Sequence, residues 1–192
     1  MSFFIPGRTR CALCDEPIAQ RADAAQLPFV SPSVLPEWAK LSRAFVLRRC
    51  WDHWLHRDTY ARAARELVLS APEQPAQRRR FEHEGLFLLE VPAVKGFRIL
   101  DTWAPLTVDV PGQDAARLAS AVLDAFAHRT ALAQDVGPTR WTLDPTGSDG
   151  WVLTLSQEGE PFERLELPAA RQVLWTELMT GLLRSSSSGT SP

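Results

Sequence analysis

Two short pairs, Cys11-x-x-Cys14 and Cys50-x-x-His53, constrain this chain more than any other feature. They use every cysteine the 192 residues contain. In Cys11-Ala12-Leu13-Cys14 a tight turn lets both sulfurs converge while backbone N–H groups face them. In Cys50-Trp51-Asp52-His53 the donors stand three apart, which is one face of a helix. Three thiolates and one imidazole form a complete tetrahedral set for zinc, and a set of four protein donors is the closed, structural kind. The expectation is one structural Zn2+ per chain on Cys11, Cys14, Cys50 and His53, with His56 as the alternative fourth donor. An odd cysteine count argues against a disulfide framework. A redox role for Cys11-x-x-Cys14 needs a βαβ setting, and Asp15-Glu16-Pro17 reads instead as a turn.

Around these pairs the chain predicts local structure. Ser2–Ile5 reads as a short strand, Asp15–Lys40 as proline-rich loop, and Ala44–Leu47 as a strand running into Cys50. A helix is expected from Cys50 to Leu69, with Trp54, Leu55, Ala61, Ala64, Leu67 and Val68 as its apolar stripe. The order of knuckle, extended chain and ligand-bearing helix resembles the treble-clef group of zinc-binding folds over residues 8 to 70. The 35 residues between Cys14 and Cys50 are long for a compact hairpin and imply an insertion. The core near the ligands is expected to be small, so that the metal holds this module together. Treble clefs serve many tasks, and the resemblance implies a metal rather than a function.

Residues 1–70 are therefore read as a zinc-binding module and 71–84 as a linker, on the strength of Pro72, Pro75 and Arg78-Arg79-Arg80. Residues 85–184 read as an α+β domain, strands then a helix, twice, and 185–192 as a disordered Ser/Gly tail. Strands are expected at Leu86–Val91, Phe97–Trp103, Leu106–Val110, Trp141–Leu143, Trp151–Ser156 and Phe162–Leu167. The helices carry stripes at Ala115, Leu118, Ala119, Val122, Leu123 and Phe126, and at Ala170, Val173, Leu174, Leu178 and Leu182. Val108-Asp109-Val110-Pro111 parallels Leu165-Glu166-Leu167-Pro168, either through an internal repeat or through chance recurrence of helix-friendly residues. The fold class is α+β: a treble-clef-like module followed by an antiparallel sheet with two helices.

Charge bears on function. Residues 1–80 hold 13 Lys and Arg against 8 Asp and Glu, while the remainder hold 8 against 15. The overall formal charge of −2 gives no general affinity for polyanions. Arginine outnumbers lysine 19 to 2 and asparagine is absent, a bias expected of a GC-rich, bacterial genome. The apolar run at the start is too short for a signal peptide and no stretch is long enough to span a bilayer, so a cytoplasmic setting is expected. Catalytic signatures are missing: there is no H-x-E before a P-C-x-x-C, no H-E-x-x-H, no histidine between Cys14 and Cys50, and no Gly-rich phosphate loop. The reading points to a non-enzymatic adaptor or immunity-type protein that binds another protein. The alternative is a nucleic-acid-binding zinc protein using the basic half; an aromatic sheet face bearing Trp103, Trp141 and Trp151 can stack on bases, but the acidic balance of the second half argues against that use.

Overall fold

The computed structural model describes residues 4–71 and 77–187. Its internal contacts divide the chain into a first unit of Met1–Pro72 with Asp101–Leu106, and a second of Glu73–Leu100 with Thr107–Pro192.

The first unit begins with a backbone-stitched loop. Gly7 N–H donates to Ile18 O at 2.8 Å and Ile18 N–H to Thr9 O at 2.8 Å, and Arg10 forms an antiparallel bridge with Pro17. The segment expected to be loop up to Lys40 contains strand β1 (Ala24–Gln26), which pairs antiparallel with β2 (Phe45–Leu47). Alanines at 24 and 25 do not announce a strand, yet both are fully buried, and the small side chains let β1 lie inside the core. Of the strand expected at Ser2–Ile5, residues 2 and 3 lie outside the described residues, and Phe4 and Ile5 are not in a strand.

The single helix expected over Cys50–Leu69 is two. Helix α1 spans Arg48–Asp52 and α2 spans Arg57–Ser70. Aromatic packing accounts for the break. Trp51 is buried, and Trp54 must contact Trp38, Trp51 and Tyr60 at ring distances of 5.3, 5.9 and 5.8 Å. A turn tightened by Trp54 N–H to Trp51 O at 3.2 Å brings it there. Leu55, placed in the apolar stripe by periodicity, lies in the following turn, closed by Arg57 N–H to Trp54 O at 3.0 Å, and is 93% exposed, while Tyr60, Ala61 and Ala64 are buried. The Trp51 indole N–H donates to Trp103 O at 2.8 Å within the same unit.

The second unit repeats four strands and a helix. Strands β3 (Arg78–His83), β4 (Leu86–Val91), β5 (Gly96–Asp101) and β6 (Leu106–Pro111) form one sheet in that order, and α3 (Gly112–His128) follows. Strands β7 (Leu132–Val136), β8 (Thr139–Thr146), β9 (Gly150–Gln157) and β10 (Glu160–Leu167) form the other, ordered β10-β9-β8-β7, and α4 (Ala169–Ser187) follows. Each repeat thus has one more strand than the sequence pattern announces. Val108–Pro111 and Leu165–Leu167 hold equivalent places at the end of the last strand of each sheet. Residues 78–83, read as part of the linker, are strand β3, and residues 72–76 of that linker lie outside the described residues. Likewise α4 runs through Ser187 into the segment read as tail, whose residues 188–192 lie outside the described residues.

Alternation sets the faces of the second sheet. Trp141 and Leu143 of β8, Trp151, Leu153 and Leu155 of β9, and Leu165 and Leu167 of β10 are buried. Their registers, Trp141 with Leu155 and Leu153 with Leu165, put them side by side. Helices α3 and α4 pack on each other, α3 against β7 and α4 against β3, β4, β9 and β10. The buried face of α4 is rotated from the expected one. Trp175 and Met179 join Leu174, Leu178 and Leu182 inside, whereas Val173 is 58% exposed and Ala170 is exposed.

Candidate metal centre

The knuckle is built by backbone geometry around Cys11. Cys11 N–H donates to Glu16 O and Asp15 N–H to Cys11 O, both at 2.8 Å, and Asp15 takes a left-handed φ of 61° to close the turn. Aspartate and asparagine, with short side chains that hydrogen-bond locally, tolerate that conformation better than most. The knuckle is then fastened to β2: Ala12 N–H donates to Phe45 O at 3.0 Å, and Leu47 N–H to Cys11 Sγ at 3.2 Å. Leu47 ends β2 and α1 starts at the next residue, so the strand delivers Cys50 within the first turn of the helix, beside the knuckle.

The result is a cluster of three sulfurs. Those of Cys11, Cys14 and Cys50 all lie within 4.8 Å of one another, and Cys50 Sγ is 3.5 Å from Cys14 Sγ. A tetrahedral ion with Zn–S bonds near 2.3 Å needs its sulfurs roughly 3.8 Å apart. The trio has the spacing and chemistry to hold a metal ion. Burial is graded across it: Cys11 is 2% exposed and part of the core, Cys50 is half-buried, and Cys14 is exposed.

The electrostatics of the three thiols differ. Burial works to raise the Cys11 pKa, but the N–H groups of Leu47, Leu13 and Cys14, with the Cys14 thiol, outweigh it and hold Cys11 below its ordinary value. Cys50 is pushed up to about 12, by burial first and then by its hydrogen-bonded contacts with, and the charges of, Cys14 and Cys11. Three sulfur anions this close repel one another, and a dication relieves that repulsion.

His53 stands outside the sulfur cluster. It is the residue that ends α1, with φ −103° and ψ 3°, rather than a member of one continuous helix. Its Nδ1 lies 2.8 Å from Arg49 O, which fixes Nδ1 as the protonated nitrogen and leaves the Nε2 lone pair unused by that bond. His56 is turned into the aromatic group, its ring 5.0 Å from Trp38 and 5.8 Å from Trp54. Sequence spacing did not show that Glu16 would pair with Arg49 across the site, or that Arg10 would bind Asp15 O at 2.6 Å.

Among the described residues no helix is long and apolar enough to cross a membrane. No protein-family model matches the chain, and neither the curated proteins nor the solved structures include one similar to it.

Proposed function

We propose that this is a non-catalytic, cytoplasmic binding protein whose first unit is organised by a structural zinc and whose α+β unit engages another protein. The convergence of Cys11, Cys14 and Cys50 carries the metal half of this reading. His53 Nε2 supplies the fourth donor. The Nδ1 contact to Arg49 O is the kind of bond that orients metal-bound histidines. The knuckle, the β1–β2 pair and the helix bearing Cys50 support a treble-clef-like arrangement, with β1 lying inside the long insertion. Four protein donors leave no position for substrate, so the metal stabilises and does not react.

For the binding half, the face of the second sheet turned away from its buried side chains is the candidate surface. Arg140 pairs with Ser156 across β8 and β9, Thr142 with Thr154, and Thr154 with Arg164 across β9 and β10. Asp135, Asp144 and Glu166 lie on the same face as Arg140 and Arg164, and this mixed charge suits a protein partner better than a nucleic acid. Trp141 and Trp151 are buried and so are turned away from base stacking. Several arginines of the first unit are also engaged. Arg49 pairs with Glu16, Arg57 with Asp52, and Arg48 Nε donates to Ala22 O at 3.3 Å.

Elemental analysis of full-length protein purified without added metal tests the zinc reading. One zinc per chain is expected, lost in Cys50→Ser, weakened in His53→Ala and retained in His56→Ala. A folded, metal-free wild type would overturn it. Cross-linking in the native cell with mass spectrometric identification tests the protein partner. Salt-dependent retention on DNA or RNA would instead favour the nucleic-acid reading.

A further inference from the structure

The three thiols are unequal in ways that a metal site alone does not require. Cys14 is exposed, Cys50 is half-buried, and their sulfurs are in contact at 3.5 Å. Cys11 is closed off within the core and accepts a hydrogen bond from the Leu47 N–H at 3.2 Å. An oxidant arriving from solvent therefore meets Cys14 first, and the sulfur positioned to resolve the product is that of Cys50.

We infer that Cys14 and Cys50 form a peroxide-sensitive pair that converts to a disulfide and releases the metal, leaving Cys11 reduced. This rests on the zinc reading for the release step, but not for the pairing. The Cys14 thiolate attacks the peroxide O–O bond, giving a sulfenic acid and one water. The Cys50 sulfur then attacks the Cys14 sulfur, expelling the hydroxyl, which leaves as a second water. The two zinc-bound thiolates, one hydrogen peroxide and two protons from solvent become one disulfide and two waters, with Zn2+ released, and without metal the thiols supply those protons; the sulfurs lose two electrons and the peroxide gains them. The ion loses two of its donors, and Cys11 with His53 does not hold it against a chelator.

The sequence makes the product readable. Trypsin cleaves after Arg10, Arg21, Arg49 and Arg57, so Cys11 and Cys14 share peptide 11–21 while Cys50 lies in peptide 50–57. The full-length protein, its zinc content first measured, is treated with hydrogen peroxide in the presence of a chromogenic zinc chelator. It is then denatured, alkylated without reductant and digested. The expected result is peptide 11–21 linked to 50–57 through Cys14, with Cys11 alkylated, one zinc released per disulfide formed, and both reversed by dithiothreitol and zinc. A disulfide within peptide 11–21, a link through Cys11, or Cys14 advancing to sulfinic acid without a disulfide would overturn the pairing. If the starting protein holds no zinc, the metal reading fails, and the peptide map still decides the pairing. In Cys11→Ser the same link between peptides 11–21 and 50–57 is expected to form, and its loss there would also overturn the proposal.

Discussion

Gly96 and Gly112 look in sequence like two separate chain breaks, but they meet at one point. Lys95 O accepts the Gly112 N–H at 3.0 Å, and the backbone of Val110 passes directly beneath the Gly96 Cα. A Cβ at position 96 would lie on the Val110 carbonyl oxygen and 2.7 Å from Gly112 N. Both obstacles are backbone, so no side-chain rotation relieves them. Overpacking of this kind costs about 1–3 kcal/mol. Shifting the strand to relieve it also strains the Lys95–Gly112 hydrogen bond, worth about 1 kcal/mol. Gly96→Ala should therefore lose about 2–4 kcal/mol, a large share of the roughly 5–15 kcal/mol of a typical domain. At about 4 °C per kcal/mol for a unit of this size, its melting transition falls by about 8–16 °C. Gly181→Ala provides the opposite case. That Cβ would meet only Phe81, at 3.6 Å, in ordinary contact, and glycine within α4 carries an entropic penalty. The same chemical change there should stabilise by about 0.5–1 kcal/mol. Differential scanning calorimetry of both variants decides. If Gly96→Ala melts within 2 °C of wild type, or the two variants move in the same direction, the close-approach argument is wrong.

The His83 ring, 2.6 Å from Glu177, has a pKa raised above 6.5, chiefly by that hydrogen bond, against a desolvation effect that lowers it, with the charges of Glu177, Glu84 and Glu82 adding to the rise. Its stabilisation is fully present below the unfolded-state pKa and is lost as pH rises through the folded one. NMR titration should place the His83 midpoint above 6.5 and Glu177→Gln should lower it; a midpoint indifferent to that change would dismiss the pair. Arg98 grips Asp109 with two bonds, at 2.6 and 2.9 Å, tying β5 to β6. Both side chains are partly exposed, so a double-mutant cycle with Arg98→Ala and Asp109→Ala should give a coupling of about 0.5–1 kcal/mol in urea unfolding, and no coupling would mean the contact is incidental.

What could be read from the sequence follows from which residues carry strong local rules. Leu86–Val91 has an apolar run bounded by turn residues, and its strand boundaries match those of β4. The Cys11–Cys14–Cys50 grouping was also legible, because C-x-x-C has few purposes outside metals and redox and a third cysteine stood ready. Strands β3 and β7 were not legible. Each is an edge strand, in which Arg78, Arg79, Arg80, Ala133 and Asp135 face water, so neither shows apolar alternation. Charged edges of this sort also discourage unwanted strand pairing. The break between α1 and α2 was hidden for another reason. Ala61–Leu67 are good helix formers, but Cys50, Trp51, Asp52, His53, Trp54 and His56 are weak ones, so local preference there yields to the demand that Trp51, Trp54 and Tyr60 share one aromatic cluster. His53 leaves the helix as a consequence, so the i, i+3 argument holds for Cys50 but not for its partner.

The same cluster changes what the metal has to do. Small zinc modules draw roughly 10–16 kcal/mol from the ion because they have no fold without it. The sequence reading assigned this chain to that class by expecting a small core. In the structure Ile18, Leu27, Val30, Leu41, Val46, Trp51 and Tyr60 are each 3% exposed or less, and they form one continuous core with Cys11. Burying each such side chain contributes about 1.5–3 kcal/mol, and none of this depends on the ion. Nor does the ion alone close the long segment between Cys14 and Cys50. The β1–β2 pairing and the bonds from Ala12 N–H to Phe45 O and from Leu47 N–H to Cys11 Sγ already do so. The parts most open to water are the outer side of the knuckle, from Cys14 to Pro17, and the end of α1 at Asp52 and His53. Metal binding therefore adds its free energy mainly to these two segments. In Cys50→Ser, hydrogen exchange should rise across residues 9–17 and 48–53, while Tyr60, Ala61 and Ala64 keep their protection because the aromatic core still holds α2. Loss of protection throughout α2 would restore the view that the ion, rather than the core, holds the first unit together.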